Sequence, residues 1–229
     1  MERFIFAVDE GSRERLKGLA LGYLLFTDVR NEKANAVVGS TMEATCNAMK
    51  AKFKDQEAIL EDTIILATRK LFSSIGRDPT KERPSGEALI RRVVIGKGIY
   101  RISAVVDINN IVSLLTGFPC GVYDAGKIEG SEITVLLGAP GTEYEGLGGR
   151  PVEAANRLLT ADQKSIFGGP TADSARTQVT AETKSVLMLI YCPPGIELPM
   201  LKATLEKASK LMGHGTGAKE AHRGIFVVE

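Results

Sequence analysis

Near Pro119 the spacing of the apolar residues changes character, and that change constrains the fold more than any other feature of the chain. Upstream, Val38, Met42, Cys46 and Met49 recur at steps of three and four, and Leu60, Ile64, Ala67 and Leu71 repeat the pattern. This is the stripe of an amphipathic helix. Downstream, Ile133, Val135 and Leu137 alternate, while Val186 to Tyr191 is nearly continuous, as in half-buried and fully buried strands. The expected class is therefore α+β, a central mostly antiparallel or mixed β-sheet flanked by helices. Two early apolar runs, Phe4 to Val8 and Tyr23 to Val29, read as buried strands that start that sheet.

Between Ser73 and Ser85 the chain is polar and carries Pro79 and Pro84, neither of which fits a helix interior, so this stretch reads as loop. Ser85 is placed to cap a helix with Glu87 in its first turn and Arg91 and Arg92 further on, a polarity the helix dipole favours. A further helix is expected from Ala104 to Gly117, where a left-handed glycine can close it. Leu201, Leu205, Ala208 and Met212 mark a last helix ending at Gly213, before a closing strand from Ile225 to Val228. No repeat or low-complexity linker divides the chain. The expected organisation is a strand-helix elaboration over residues 1–76 packed on a unit spanning 77–229.

Net charge at pH 7 is +1, which offers no long-range field for nucleic acid or an anionic membrane. Any RNA contact must come from a local patch. Arg77, Lys81, Arg83, Arg91, Arg92, Lys97 and Arg101 stand against Asp78, Glu82 and Glu87, and the first six are the candidate phosphate-binding residues. The alternative is a solvated helix face held by ion pairs. Met1 to Val8 is too short for a secretory signal, and no run approaches the ~20 apolar residues of a membrane span. Cys46, Cys120 and Cys192 are widely spaced and odd in number, which suits buried thiols in a reducing compartment. The expected location is cytoplasmic, with no membrane partner.

Generic catalytic signatures fail on physical grounds. His214 and His222 are the only histidines, and neither lies within ligand spacing of a cysteine, so no metal site is expected. Gly213, Gly215 and Gly217 imitate a dinucleotide loop, yet they follow a helix where that loop needs a strand before it. Gly146, Gly148, Gly149 and Arg150 read as a turn between strands. Nothing suggests an ATP site, and no cofactor is expected.

The run from Ala104 to Gly130, A-V-V-D-I-N-N-I-V-S-L-L-T-G-F-P-C-G-V-Y-D-A-G-K-I-E-G, carries the strongest signal. It resembles the A-V-V-D-V-T-N-Y-V, G-Q-P-M-H-A-F-D-like and R-I-E-G strings in the editing module of the beta subunit of bacterial phenylalanyl-tRNA synthetase. Further strings match in order: I-F-G-G at Ile166 to Gly169, Glu182 and Thr183 before the run from Val186, and a T-x-A at Thr216 and Ala218. The likeness covers roughly residues 85–220. Arg77 to Ser85, R-D-P-T-K-E-R-P-S, also resembles a string in small bacterial proteins that consist of this module alone.

In the synthetase, the module hydrolyses the ester of tyrosine wrongly attached to the 3′ end of phenylalanine tRNA. The resemblance therefore implies a tRNA-associated protein that hydrolyses mischarged aminoacyl-tRNA in trans, without the machinery to charge tRNA. The alternative is a non-catalytic module that holds an aminoacyl group or a tRNA 3′ end. The implied catalytic residues are Asn110, matching the family's Asn, Asn109 in place of its Thr, and Thr216. His214, two residues away from Thr216, is added as the nearby imidazole, the side-chain type most used in general acid–base chemistry. Gly121, Leu189, Ala218, Phe167, Gly168 and Thr183 are the implied substrate-binding positions. Gly121 replaces the family's His, and Leu189 replaces the Glu that reads the tyrosine hydroxyl. A buried phenol without a partner costs about 1–3 kcal/mol, so an apolar or small side chain is the expected substrate. Asp173, Arg176 and Thr177, just beyond I-F-G-G, are expected either to order a pocket loop or to cap a turn.

Overall fold

Side chains that point alternately to two cores along the central strands explain how the layers stack. A computed structural model describes residues 3–229; Met1 and Glu2, at the start of the apolar octet, lie outside the described residues. In chain order the elements are β1 (Ile5–Val8), α1 (Arg13–Leu16), β2 (Ala20–Thr27), α2 (Ala36–Lys52), α3 (Thr63–Ser74), α4 (Ser85–Val94) and α5 (Ala104–Thr116). They continue with β3 (Cys120–Asp124), β4 (Glu132–Leu137), β5 (Glu143–Glu145), β6 (Pro151–Glu153), β7 (Leu158–Ala161), β8 (Ile166–Gly168), β9 (Val186–Cys192), α6 (Leu198–Thr216) and β10 (Lys219–Val227).

The fold is α+β, with two four-stranded sheets where the sequence suggested one. An antiparallel sheet runs β10-β2-β9-β3, and a mixed sheet runs β1-β4-β7-β8 with β1 and β4 parallel. The two early strands therefore start different sheets. All but the last residue of β2 is buried, which suits a strand covered on both faces, whereas β1 is only partly buried and takes an edge. Residues 3–76 give one strand to each sheet.

Side chains alternate between two cores. Leu24 and Phe26 of β2, Cys120 and Val122 of β3, and Met188 and Ile190 of β9 face the helices and share a core with Val105, Ile108, Val112, Leu205 and Met212. Leu21, Tyr23 and Leu25, Tyr123, and Leu187, Leu189 and Tyr191 face the mixed sheet, where Ile133, Val135, Leu158 and Phe167 meet them. The antiparallel sheet is thus the middle layer, and β3 is its edge.

Local chemistry sets several helix ends, although Ser85, the expected cap of α4, is instead its first residue, behind Pro84 and with no side-chain cap bond. The Asn35 side chain accepts from the Val38 N–H at 3.0 Å, and Asp62 accepts from the N–H groups of Ile64 and Ile65. Gly117, with φ 81°, closes α5 as expected. The expected stop at Gly213 is corrected: α6 continues through His214 to Thr216, and Gly217 caps it in the left-handed region. Packing sustains that extra turn, because a Cβ on Gly215 would lie 2.7 Å from Ile108 and Val38, and its absence lets α6 press against α5 and α2. Cys120 and Cys192 are buried as expected, whereas Cys46 is only partly so. Among the described residues no helix is long and apolar enough to cross a membrane.

Candidate functional site

At one edge of the middle sheet, beside β3, lies a cavity of about 390 Å³. Its floor is Cys120, Val122 and Tyr123 of β3; α4 contributes Ser85, Ala88 and Leu89; α5 contributes Val106, Asn109 and Asn110. Leu147 and the segments around Asp173 and Thr177 complete the wall, and Arg83 stands on the same cavity from the loop before α4. The volume is that of a small-molecule site. Asn109 is buried, its Nδ2 donates to the Cys120 carbonyl at 3.4 Å, and its Oδ1 has no partner. An amide oxygen left this way has given up water without compensation, an exception to the pairing of buried polar groups.

Tyr123 organises one end of that floor. Its hydroxyl donates to Asp173 Oδ1 at 2.9 Å and lies 3.4 Å from the Tyr191 hydroxyl, which in turn is 3.4 Å from Thr160 Oγ1. Burial pushes the Asp173 carboxyl up to about 7, against bonds from Tyr123 and the Gly169 N–H that favour its ionised form. Burial also holds the Tyr123 proton far above its ordinary range, so the phenol stays a donor.

Two glycines make room for this ring. A Cβ on Gly121 would fall 2.2 Å from the Tyr123 hydroxyl, and one on Gly168 would fall 2.4 Å from the ring and 2.7 Å from Asp173 Oδ1. The space that Gly121 opens is therefore filled by Tyr123 and not left to a ligand. Leu189, its cross-strand partner, is buried between the sheets and does not line the cavity. Phe167 packs edge-on against Tyr123 with ring centroids 4.8 Å apart. Gly168→Ala is expected to cost about 1–3 kcal/mol by overpacking and to displace Asp173 with the ring. Denaturant unfolding checks the first effect, and an unchanged midpoint would refute it.

The remaining sequence candidates divide between places. Thr183 is buried and donates to Asp124 Oδ2 at 2.6 Å. Thr216 donates to the Met212 carbonyl at the end of α6 and, with His214, lines a second, smaller cavity of about 240 Å³ bounded by Arg30, Glu32 and Asn35. The structure thus brings Asn109 and Asn110 together but sets Thr216, His214 and the adjoining Ala218 outside their cavity. Arg176 binds Asp162 at 2.8 Å, and Thr177 Oγ1 donates to the Phe167 carbonyl, so both order the loop that carries Asp173.

Of the basic residues, Arg77 is held by Glu82 and the Ala155 carbonyl, and Arg91 by Glu87 and Gln56. Arg92 lies over the Tyr100 ring at 4.1 Å. Lys81, Arg83 and Lys97 are exposed. Tyr123 was not singled out in the sequence. Its signal was the side-chain-free Gly121 two residues earlier on the same strand face, which is legible only once the facing sheet is known.

The B3/4 domain profile matches residues 67–210, well over half of the chain. The chain belongs to the B3/4 domain family. This B3/4 domain is 31% identical over 101 residues to the phenylalanine–tRNA ligase beta subunit of Lactobacillus acidophilus, covering 43% of this chain and 13% of the ligase subunit. To the corresponding subunit of Vibrio vulnificus it is 39% identical over 98 residues, 40% of this chain and 12% of that one. It therefore spans about an eighth of the length of these relatives. It is also 20% identical to the Bacillus subtilis protein YhzB across 96% of both chains. In architecture the B3/4 domain is similar to an N-terminal fragment of the phenylalanyl-tRNA synthetase beta subunit from Pyrococcus horikoshii. That likeness has a TM-score of 0.51 at 12% identity, over 96% of this chain and 51% of the fragment.

Proposed function

We propose that this B3/4 domain is a tRNA-associated protein that hydrolyses the ester of mischarged aminoacyl-tRNA in trans at the cavity beside β3. The observation that carries the reading is the placing of two adjacent amides, Asn109 and Asn110, on one wall of a cavity of aminoacyl size. Membership of a family shared with ligase subunits supports it. An aminoacyl ester is activated, so its hydrolysis asks little of the protein: a positioned water and donors at the developing oxyanion. In this reading water adds to the ester carbonyl, the bond to the ribose oxygen breaks, and that oxygen leaves as the tRNA hydroxyl with a proton from the water. Asn110 donates to the oxyanion, and Asn109, fixed by its Nδ2 on the Cys120 carbonyl, holds the adjoining part of the same helix flank against the substrate. Thr216 and His214 have no part in the chemistry, since they face the other cavity.

Arg83 on the cavity wall is proposed to hold a phosphate of the tRNA end, and the exposed Lys81 and Lys97, with Arg92 of α4, are proposed as further phosphate contacts along the bound strand. Arg77 and Arg91 are committed to carboxylates and serve the fold. The apolar walls, Ala88, Leu89, Val106, Val122 and Val179, favour an apolar aminoacyl side chain. Deacylation of a panel of labelled aminoacyl-tRNAs tests the reading. At least one is expected to lose its amino acid faster than in buffer, and Asn110→Ala is expected to slow that loss by about 10²–10³. If none is deacylated faster than in buffer, hydrolysis is refuted; binding retained in the same samples would then identify a non-catalytic 3′-end module.

A further inference from the structure

The polar groups on this cavity are unbalanced, and the imbalance names the missing partner. Asp173 lines the cavity, and only neutral groups bond to it, the Tyr123 hydroxyl and the Gly169 N–H. No ion pair among the described residues involves Asp173. Arg83, on the same cavity, is directed to Glu87 at 3.9 Å, and Arg176, three residues along the chain, to Asp162. A shielded carboxylate with no countercharge is costly, which is why its proton is held so tightly. Asn109 Oδ1 adds a second acceptor without a donor. Exchanging the amide's oxygen and nitrogen does not cure this, because it would set the oxygen against the Cys120 carbonyl that Nδ2 now meets.

Two acceptors and an apolar surround suit a ligand that brings both N–H donors and positive charge. A divalent metal fits poorly: among the described residues no group of three or more His, Cys, Asp or Glu could hold one. A guanidinium would need a planar, bidentate carboxylate, and Asp173 Oδ1 is already engaged by Tyr123. A primary ammonium needs one free carboxylate oxygen and one further acceptor, the set present here.

We infer that Asp173, with Asn109 on the wall of the same cavity, receives the primary ammonium of the ligand, so the cavity selects apolar amines over the corresponding deaminated acyl groups. The inference rests on the aminoacyl reading above, in which that ammonium is the α-ammonium of the ester. Binding makes Asp173 a specificity-determining residue: the ion pair gives the carboxylate its countercharge and leaves the Tyr123 bond intact. The deaminated acyl group leaves the carboxylate shielded and without a countercharge, a penalty that discriminates more sharply than apolar contacts can.

The test is calorimetric titration with two stable adenosines carrying a 3′-amide link, one bearing phenylalanyl and the other 3-phenylpropanoyl, identical except for the α-ammonium. The intact protein is expected to prefer the phenylalanyl compound by about tenfold or more, the scale of a hydrogen bond to a charged group. Asp173→Asn is expected to reduce the preference to within about twofold, because the amide keeps the shape but not the charge. Equal binding of the two compounds by the unaltered protein overturns the ammonium site and leaves the aminoacyl reading standing. A preference that survives Asp173→Asn, or Asp173→Ser should the first variant fold poorly, also overturns it. Failure of both compounds to bind the unaltered protein removes the ammonium site and the aminoacyl reading together.

Discussion

Glu87→Ala is expected to lower the unfolding free energy by about 3–5 kcal/mol, the largest loss foreseen for a single substitution here. Glu87 is 1% exposed in the first turn of α4. Its carboxylate takes both oxygens to Arg69 at 3.0 Å and accepts from Arg91 Nε at 2.7 Å, with Arg83 at 3.9 Å. The pairing joins α3 to α4, and truncating it takes the shared carboxylate away from the mostly shielded guanidinium groups of Arg69 and Arg91. Reversing the argument, replacing all partners by apolar residues would cost far less, because the penalty comes from charges left alone. Denaturant unfolding at pH 7 measures the effect, and a loss below about 1 kcal/mol would show that the arginines find other partners. The cavity should suffer as well, since α4 carries Ser85, Ala88 and Leu89 on its wall.

Asp173→Asn is expected to act in the opposite direction, raising stability in neutral and alkaline solution. The folded protein holds this carboxyl near 7, above its ordinary value of 3.8, so the folded state binds the proton more tightly than the unfolded chain. The stabilisation from that tighter grip is complete below the unfolded value, is lost progressively as pH rises between the two values, and is gone above the folded one. The difference amounts to at most about 4 kcal/mol, less whatever water relieves from the cavity side. The ionisable neighbours on the packed elements, Tyr123, Tyr144 and Tyr191, have their own protons held well above this window and add no step within it. Midpoints of unfolding measured from pH 4 to pH 9 should fall across that range in the unaltered protein and stay flatter in the variant. Parallel curves would mean that Asp173 is hydrated in solution and does not carry this cost. An occupied cavity should flatten the curve too, if an ammonium supplies the missing charge.

Local readings succeeded where the physics is local. The extent of α5 followed from Ala104, an apolar stripe and a closing glycine, because capping and periodicity act within a turn or two. The polar, proline-bearing stretch before Ser85 was legible for the same reason. At the far end of α6 the same reasoning stopped a turn short, since Gly213 and Gly215 look like breakers until Ile108 and Val38 are seen against them. The basic cluster was visible as a charge excess. Which members are committed to ion pairs was not visible, because Arg69, outside the cluster, meets Glu87 across two helices and Arg91 joins the same carboxylate.

The site followed the same division. Asn109 and Asn110 are neighbours in the chain and face one cavity together, as adjacent residues on a helix flank can. Thr216 matched the family's pattern equally well in sequence yet lies on the other cavity, and no local rule could have told the two apart. By itself the sequence determined the class of fold, the limits of α5 and the family, since each depends on residue order over short spans. Only the tertiary structure decided that two sheets stack, that Tyr123 fills the space beside Gly121 and Gly168, and that Asp173 faces a cavity without a countercharge. The physical reason is that burial, and with it the cost of an unpaired charge, is a property of what lies across a gap in space, and neighbours along the chain carry no record of it.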